Sequence, residues 1–330
     1  WFPALAGYAV FWYLVFPRFF AYTVRRRTRA FAKSGAGPSS FGERSVVLDE
    51  AGLTVTAGDS VSRVTWADLH QVVRQGGHLF LYLDARQAVV VPLEAFIERE
   101  PITVFLSQKG WIRSVRGHVT DTADVKYKEG DRERFLLHAE TTDRLLLFAT
   151  NGRFFTLAAD KLPRGRGFGE PLRLMADLGN EADAVALLRL DAEGRLLVAA
   201  SDGRGFVVRD SEVAAQTRAG RQVLNLGPGA EARVCLRVTG DTVATIGDNR
   251  RLLCFPLAEI PEMTRGRGVI LQRYKDGGLS DLSLFTLADG LSWRLGERVR
   301  TETDLTTWLG KRAQAGRLPP TGFPRSNRFT

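Results

Sequence analysis

Hydrophobic positions are spaced in three different ways along the 330 residues, and each spacing predicts a different kind of element. The opening stretch "WFPALAGYAVFWYLVFPRFFAYTV" is almost continuously apolar, holds one charge, Arg18, and runs directly into "RRRTR". Such a run with a basic flank predicts a transmembrane helix over residues 1–24, an inner-membrane anchor with the arginines on the cytoplasmic side. Pro17 and Arg18 interrupt it after 16 residues, short of the roughly 20 that a straight span requires, so a buried or interfacial apolar helix is the competing reading. The basic cluster follows the apolar run and no small-residue cleavage site appears, which disfavours a secretory signal peptide. The chain opens on Trp1 rather than Met, so the run reads as the later part of a longer segment. "KSGAGPSS" then has the composition of a flexible linker, closing a first region at residues 1–40.

From Ser45 the spacing changes to period two. Val55, Val61, Val64 and Trp66 are interleaved with Thr and Ser, turn residues fall at "DEAG" and "AGDS", "ADLHQVV" can form one short helix, and "DARQ" can close a hairpin. Residues 41–97 are therefore expected to form a small half-buried sheet.

Beyond residue 98 the pattern changes again, to apolar runs paired about polar turns. "ITVFLSQKGWIRSV", "LLLFATNGRFFTLA", "LLVAASDGRGFVVR", "TVATIGDNRRLLCF" and "LSLFTLADGLSWRL" share this form. With Gly110, Gly152, Gly203, Arg250 and Gly290 as matching turn positions, the spacings are 42, 51, 47 and 40 residues. A unit of this length holding several short strands cannot bury both faces alone, and closing such units about an axis gives a propeller-like array, here of five blades.

Charge adds a candidate chemistry to that array. The net charge is +9, of which residues 1–97 supply +3 from 10 Lys and Arg against 7 Asp and Glu, so an anionic partner, nucleic acid or a lipid surface, is indicated. Basic loops recur between the hairpins: "VRGH" from Val115, "PRGRG" from Pro163, "TRAGR" from Thr217 and "TRGRG" from Thr264. A guanidinium can grip two phosphate oxygens while glycine lets backbone N–H groups approach the same anion. Repeated around a rim, such loops make a curved basic track suited to a bent duplex. The candidate contacts are Arg113, Arg116, Arg164, Arg166, Arg218, Arg221, Arg265 and Arg267, with Lys109, Lys126 and Arg273 as lesser members. Read singly, each loop is better taken as a turn with a solvated charge; the alignment of three favours phosphate.

Two family resemblances attach to these residues. The order of strand, turn, strand, "VTWADLHQVV", hairpin and "VPLEAF" resembles the YcxB-like family of small bacterial membrane proteins, which implies a cytosolic β-domain of pleckstrin-homology type and no enzyme activity. "EPITVFLSQKGWIRSVRGH", the repeated hairpins, "TRGRGVILQRY" and the ending "GERVRTETDLTTWLGKRAQAGRLPPTGFPRSNRF" together resemble the C-terminal domain of the DNA topoisomerase IV A subunit. That resemblance covers residues 98–330 and implies a β-pinwheel, a propeller variant with exchanged strands, whose basic rim engages duplex DNA in the cytoplasm. It also implies partnership with the B subunit of topoisomerase IV, and with the catalytic part of the A subunit. The Gln-Arg-Arg-Gly-Gly-Lys-Gly box of the sister family, the DNA gyrase A subunit, would fall after "WIRS". Here that stretch reads "VRGHVTDTADVKYKEGD", so the wrapping such a box supports is not expected.

Catalytic chemistry is not indicated. The resembled enzyme's nucleophilic tyrosine, and the Mg²⁺ and ATP it uses, belong to other regions, and no cofactor is expected in this chain. Tyr22 lies in the apolar run, where an interfacial aromatic is the better reading. His70, His78, His118 and His138 lack metal-ligand spacing, and Asp121, Asp124, Glu129 and Asp131 read as a solvated acidic loop. Cys235 and Cys254 sit singly in apolar runs, which indicates neither a disulfide framework nor a zinc site. The two parts share no evident logic, so the sequence reads as a fusion joined between Phe96 and Glu100. Two alternative functions are a membrane-anchored propeller that serves as a protein-interaction module, and a YcxB-like membrane protein.

Overall fold

The computed structural model of the protein describes residues 44–48, 51–57, 60–84, 87–92, 99–123, 125–165 and 167–329. The expected anchor helix over 1–24 lies outside the described residues, and among those described no helix is long and apolar enough to cross a membrane. The chain divides into two compact units, Trp1–Phe96 and Ile97–Thr330.

In the first unit β1 (Arg44–Leu48), β2 (Gly52–Ala57) and β3 (Ser60–Thr65) form one antiparallel sheet, and β4 (Gln71–Gln75), β5 (His78–Tyr82) and β6 (Ala88–Pro92) form another. Its core is small: Leu53, Leu81 and Val91 are buried, with Val46, Val55, Leu69, Leu79 and Val89 packed around them. The helix expected over "ADLHQVV" does not form. Trp66–Asp68 makes a single 3₁₀ turn, and the following Gln71–Gln75 enters β4. The β-branched pair Val72 and Val73 favours strand over helix, and Gly76 and Gly77, both at positive φ, turn the chain back so that β4 pairs with β5.

The second unit is built from sheets of one plan. Its strands are β7 (Pro101–Ser107), β8 (Trp111–Arg116), β9 (Glu133–Glu140), β10 (Arg144–Ala149), β11 (Arg153–Ala158), β12 (Glu170–Pro171), β13 (Ala184–Arg189), β14 (Arg195–Ala200) and β15 (Arg204–Arg209). They continue with β16 (Arg221–Gln222), β17 (Ala232–Arg237), β18 (Thr242–Gly247), β19 (Leu252–Pro256), β20 (Val269–Ile270), β21 (Leu279–Phe285), β22 (Leu291–Leu295) and β23 (Arg298–Glu302). Strand orders are β12-β8-β7-β9, β16-β11-β10-β13, β20-β15-β14-β17 and β19-β18-β21. In each, a hairpin is flanked on one side by the next strand in sequence. These third strands pack successively, β9 beside β13, β13 beside β17 and β17 beside β21.

Alternate residues of one strand enter different cores. Leu145, Leu147 and Ala149 of β10 face the first sheet's Val104 and Leu106, while Leu146 and Phe148 face Leu196, Val198 and Phe206 of the third sheet. Burial on both faces explains why these strands read as unbroken apolar runs rather than as alternation. Four such cores are stacked in series.

The fourth strand of each of the first three sheets comes from elsewhere in the chain. β12 follows the second sheet's hairpin yet pairs with β8 of the first; β16 and β20 repeat this one and two sheets further on. This is the strand exchange of a β-pinwheel. The fifth repeat departs from the expected hairpin "LSLFTLADGLSWRL". β21 pairs with β18 as the third strand of the fourth sheet, and β22 pairs with β23 across Gly296 and Glu297. Gly290, at positive φ after the 3₁₀ turn Leu287–Asp289, mimics a hairpin turn in sequence but links two sheets.

Candidate nucleic-acid interface

Four connections, here termed straps, run along the outer strands: residues 164–171, 215–222, 262–270 and 309–317. Each touches its host strand at two points two host residues apart. At the first point Arg164 bridges Ser114, Glu262 bridges Val207 and Leu309 bridges Cys254, all parallel. In the second strap the backbone N–H of Ala215 donates instead to Thr156 Oγ1 at 2.8 Å. At the second point Glu170, Arg221, Val269 and Arg317 pair antiparallel with Ile112, Phe154, Gly205 and Leu252.

The residue before that second point is glycine in all four straps, Gly169, Gly220, Gly268 and Gly316, with φ of 84°, 71°, 72° and 79°. A Cβ there would lie 2.2, 2.7, 2.3 and 2.6 Å from the carbonyl oxygens of Ile112, Phe154, Gly205 and Leu252. Backbone conformation and close approach both exclude a side chain. Between the two points each strap has more residues than its host strand, and Arg164, Arg218, Arg221, Arg265 and Arg267 fall at or between those points.

Five of the exposed candidate arginines meet carboxylates. Arg116 and Arg164 converge on Glu100, at 2.8 and 3.8 Å. Arg218 approaches Asp177 at 3.8 Å and also donates to the carbonyl of Leu174; Arg221 reaches Glu212 and Arg267 reaches Asp202, each at 3.3 Å. Arg265 donates to the amide oxygen of Asn225, at 3.4 Å, and meets no carboxylate among the described residues. Exposed ion pairs of this kind are worth about 0.2–1 kcal/mol each, weak enough for a phosphate to displace. Arg166 lies outside the described residues.

Arg113 is not a rim residue. It is 5% exposed, its guanidinium donates to the carbonyls of Gly167 and Lys126, and it lies over the Phe105 ring. It fastens the first strap and the β8–β9 connection to the face of the sheet, because a buried guanidinium must find acceptors. The cleft beside it, about 1060 Å³, is lined by Glu100, Arg116, Lys126 and Arg164 among others. Lys126 is exposed there, and Lys109 lies on the first hairpin turn, where its Nζ donates to Glu129 O at 3.1 Å. Arg273 is exposed just beyond β20, its backbone N–H bonded to Gln314 of the fourth strap.

The acidic loop has a structural role in one member. Burial raises the Asp131 pKa, but hydrogen bonds from Ser107 and from the backbone N–H groups of Lys109 and Arg132 outweigh that and hold it below the ordinary aspartate value. The carboxylate thereby pins the first hairpin turn. Asp124 lies outside the described residues. His118 and His138 stack at 4.7 Å and donate to the carbonyls of Ala139 and Val119. Among the described residues no cluster of His, Cys, Asp and Glu is placed to hold a metal.

Sequence reasoning missed the fourth strap, with Lys311, Arg312 and Arg317. The detectable signal was the tripeptide Ala-Gly-Arg, shared by "TRAGR" in the second strap and "AQAGR" in the fourth.

Comparison with known proteins agrees with this geometry. A family model described as the DNA gyrase C-terminal domain, beta-propeller, matches residues 194–235 and 241–279, and one for YcxB-like proteins matches residues 48–105. The A subunit of DNA topoisomerase 4 from Rickettsia bellii is 48% identical over 241 residues, 73% of this chain and 33% of the relative. The Caulobacter vibrioides protein of that name is 46% identical over 238 residues, 72% and 31% respectively. The chain thus spans about a third of the length of these relatives. Among solved structures, the Escherichia coli ParC C-terminal domain superposes with a TM-score of 0.61 at 27% identity, covering 68% of this chain and 96% of that one. The chain is thus similar in sequence to the A subunit of DNA topoisomerase 4, and in fold to the ParC C-terminal domain.

Proposed function

We propose that residues 98–330 act as the DNA-binding C-terminal domain of a type IIA topoisomerase of the topoisomerase IV kind. In this reading the rim of straps holds duplex DNA in the cytoplasm while the catalytic regions of the A subunit, together with the B subunit, change its topology in support of chromosome segregation. The observation that carries the reading is that all four straps use one backbone plan to present cations along the outer edges of successive sheets. Contacts of this type address phosphates rather than base edges, which fits a substrate chosen for shape rather than sequence.

The main proposed contacts among the described residues are Arg116, Arg164, Arg218, Arg221, Arg265 and Arg267, all exposed. If these six neutralise phosphates, the logarithm of duplex affinity should fall with the logarithm of salt concentration at a slope of about −5, from roughly −0.9 per contact. Fluorescence anisotropy with short duplexes of two unrelated sequences measures this. A slope near zero would refute nucleic-acid binding and leave a protein-interaction propeller.

A further inference from the structure

The four straps are alike in backbone but unlike in electrostatic surroundings. In the first, Glu100 lies between Arg116 and Arg164, and in the second Asp177 and Glu212 face Arg218 and Arg221. In the third, Arg267 has Asp202 while Arg265 has no carboxylate partner among the described residues. In the fourth, Lys311 and Arg317 are both exposed, and neither has a carboxylate partner among the described residues. Arg312 is turned inward and spent on the fold: its Nε donates to Glu259 O at 3.1 Å and its Nη1 to Ile270 O at 2.6 Å.

Position strengthens the comparison. Counted from the strap glycine, Lys311 stands five residues before Gly316 as Arg164 stands five before Gly169, and Arg317 follows Gly316 as Arg221 follows Gly220. The fourth strap therefore repeats two basic positions of the others, and the one carboxylate recorded against it among the described residues, Glu259, accepts the Arg312 backbone N–H at 2.8 Å rather than pairing with Lys311 or Arg317.

We propose that the fourth strap is a further phosphate-binding site of the rim, through Lys311 and Arg317, and that the rim is electrically polarised. Duplex engages the third and fourth straps first, and the carboxylates of the first two compete with phosphate for their arginines. The inference rests on the DNA-binding reading above and adds the order and strength of its contacts. A carboxylate held on a guanidinium occupies the fork a phosphate would take, so Glu100 acts as an internal competitor at the first strap.

The test uses the whole chain, a short duplex DNA, and three variants: Lys311→Ala/Arg317→Ala, Arg116→Ala/Arg164→Ala, and Glu100→Gln. Losing two unmasked contacts should flatten the salt slope by about 1.8, so that raising salt fourfold weakens wild type roughly 12-fold more than it weakens the fourth-strap variant. The first-strap variant should lose less than half as much slope, and Glu100→Gln should bind more tightly than wild type at equal salt. Unchanged thermal melting of the fourth-strap variant would assign its loss to charge rather than to folding; if it melts lower, Lys311→Gln/Arg317→Gln replaces it. Steep wild-type salt dependence left unaltered by loss of Lys311 and Arg317 would overturn the inference while leaving the DNA reading intact. A wild-type slope near zero would instead overturn the DNA reading itself.

Discussion

The strap glycines permit a sharp test of the fold, and Gly316→Ala is the informative substitution. At φ +79° an L side chain adopts the left-handed conformation, at a cost of about 1–2 kcal/mol. The new Cβ would also lie 2.6 Å from the Leu252 carbonyl oxygen and 2.7 Å from the Gln272 side-chain amide. Neither neighbour is free to retreat. The oxygen accepts the Arg317 N–H at 2.9 Å, and the amide bonds to Arg251 O and Ala315 O at 2.9 and 2.8 Å. Overpacking against such a site costs about 1–3 kcal/mol more. Gly229→Ala supplies the control: its φ is +69° but nothing lies within 4 Å of the added Cβ, so only the conformational part applies. Calorimetry of the two variants should show Gly316→Ala the less stable by about 1–3 kcal/mol, a further fall of roughly 2–4 °C in Tm per kcal/mol for a unit of this size. If Gly316→Ala melts together with Gly229→Ala, the close approach of strap to host strand is refuted.

Three other outcomes follow from polar groups of the second unit. Asp210 is fully buried and accepts hydrogen bonds from half-buried Arg237 Nη1 at 2.6 Å and the Asp191 N–H at 3.0 Å, so Asp210→Ala should cost about 1–3 kcal/mol in urea unfolding by leaving those donors without their acceptor; an unchanged unfolding midpoint would contradict it. Arg250, at φ +57°, ties the C-terminal segment through Pro324 O and Asn327 Oδ1, both at 3.1 Å; Arg250→Ala should therefore expose the amides of residues 323–329 to faster hydrogen exchange, and unchanged protection would speak against the tie. Burial lifts the Asp281 pKa above its ordinary value, whereas the hydroxyl of Thr242, with the Leu287 N–H, and the hydroxyl and N–H of Thr306 depress those of Asp241 and Asp304. Carboxyl NMR should find that order of midpoints. The Asp281 contribution is present below its unfolded pKa and lost as pH rises through the raised folded one; those of Asp241 and Asp304 are present above theirs and lost as pH falls through the depressed values. Three coincident midpoints would refute these environments.

Much of the second unit was legible because its strands are buried on both faces. Doubly apolar runs such as "LLLFA" cannot lie at a surface, and the polar turns between them fixed four hairpins. The fifth was misplaced by one strand, since Gly290 and Gly296 both carry positive φ and pairing partners are not written locally. The short helix expected after Trp66 failed for a similar reason: partnership with β5 outweighed local propensity. Arg113 shows the limit at the candidate site. Its neighbours in sequence resemble those of any rim arginine, and only its position on β8, under the strap carbonyl of Gly167, turns its charge inward. The pairing of Arg116 and Arg164 with one glutamate likewise depends on contacts across the sheet edge that no spacing encodes.

Strand exchange also imposes a timetable on synthesis. β8 ends at Arg116, yet its outer partner begins at Glu170, so at about 5–20 residues per second the first sheet leaves the ribosome with a bare edge for roughly 3–11 seconds. Unpaired edges invite association with other chains. Each nascent sheet is thus completed only by the passage of its successor, which makes the order of translation a safeguard of correct assembly and makes a stalled ribosome a source of sticky, three-stranded intermediates.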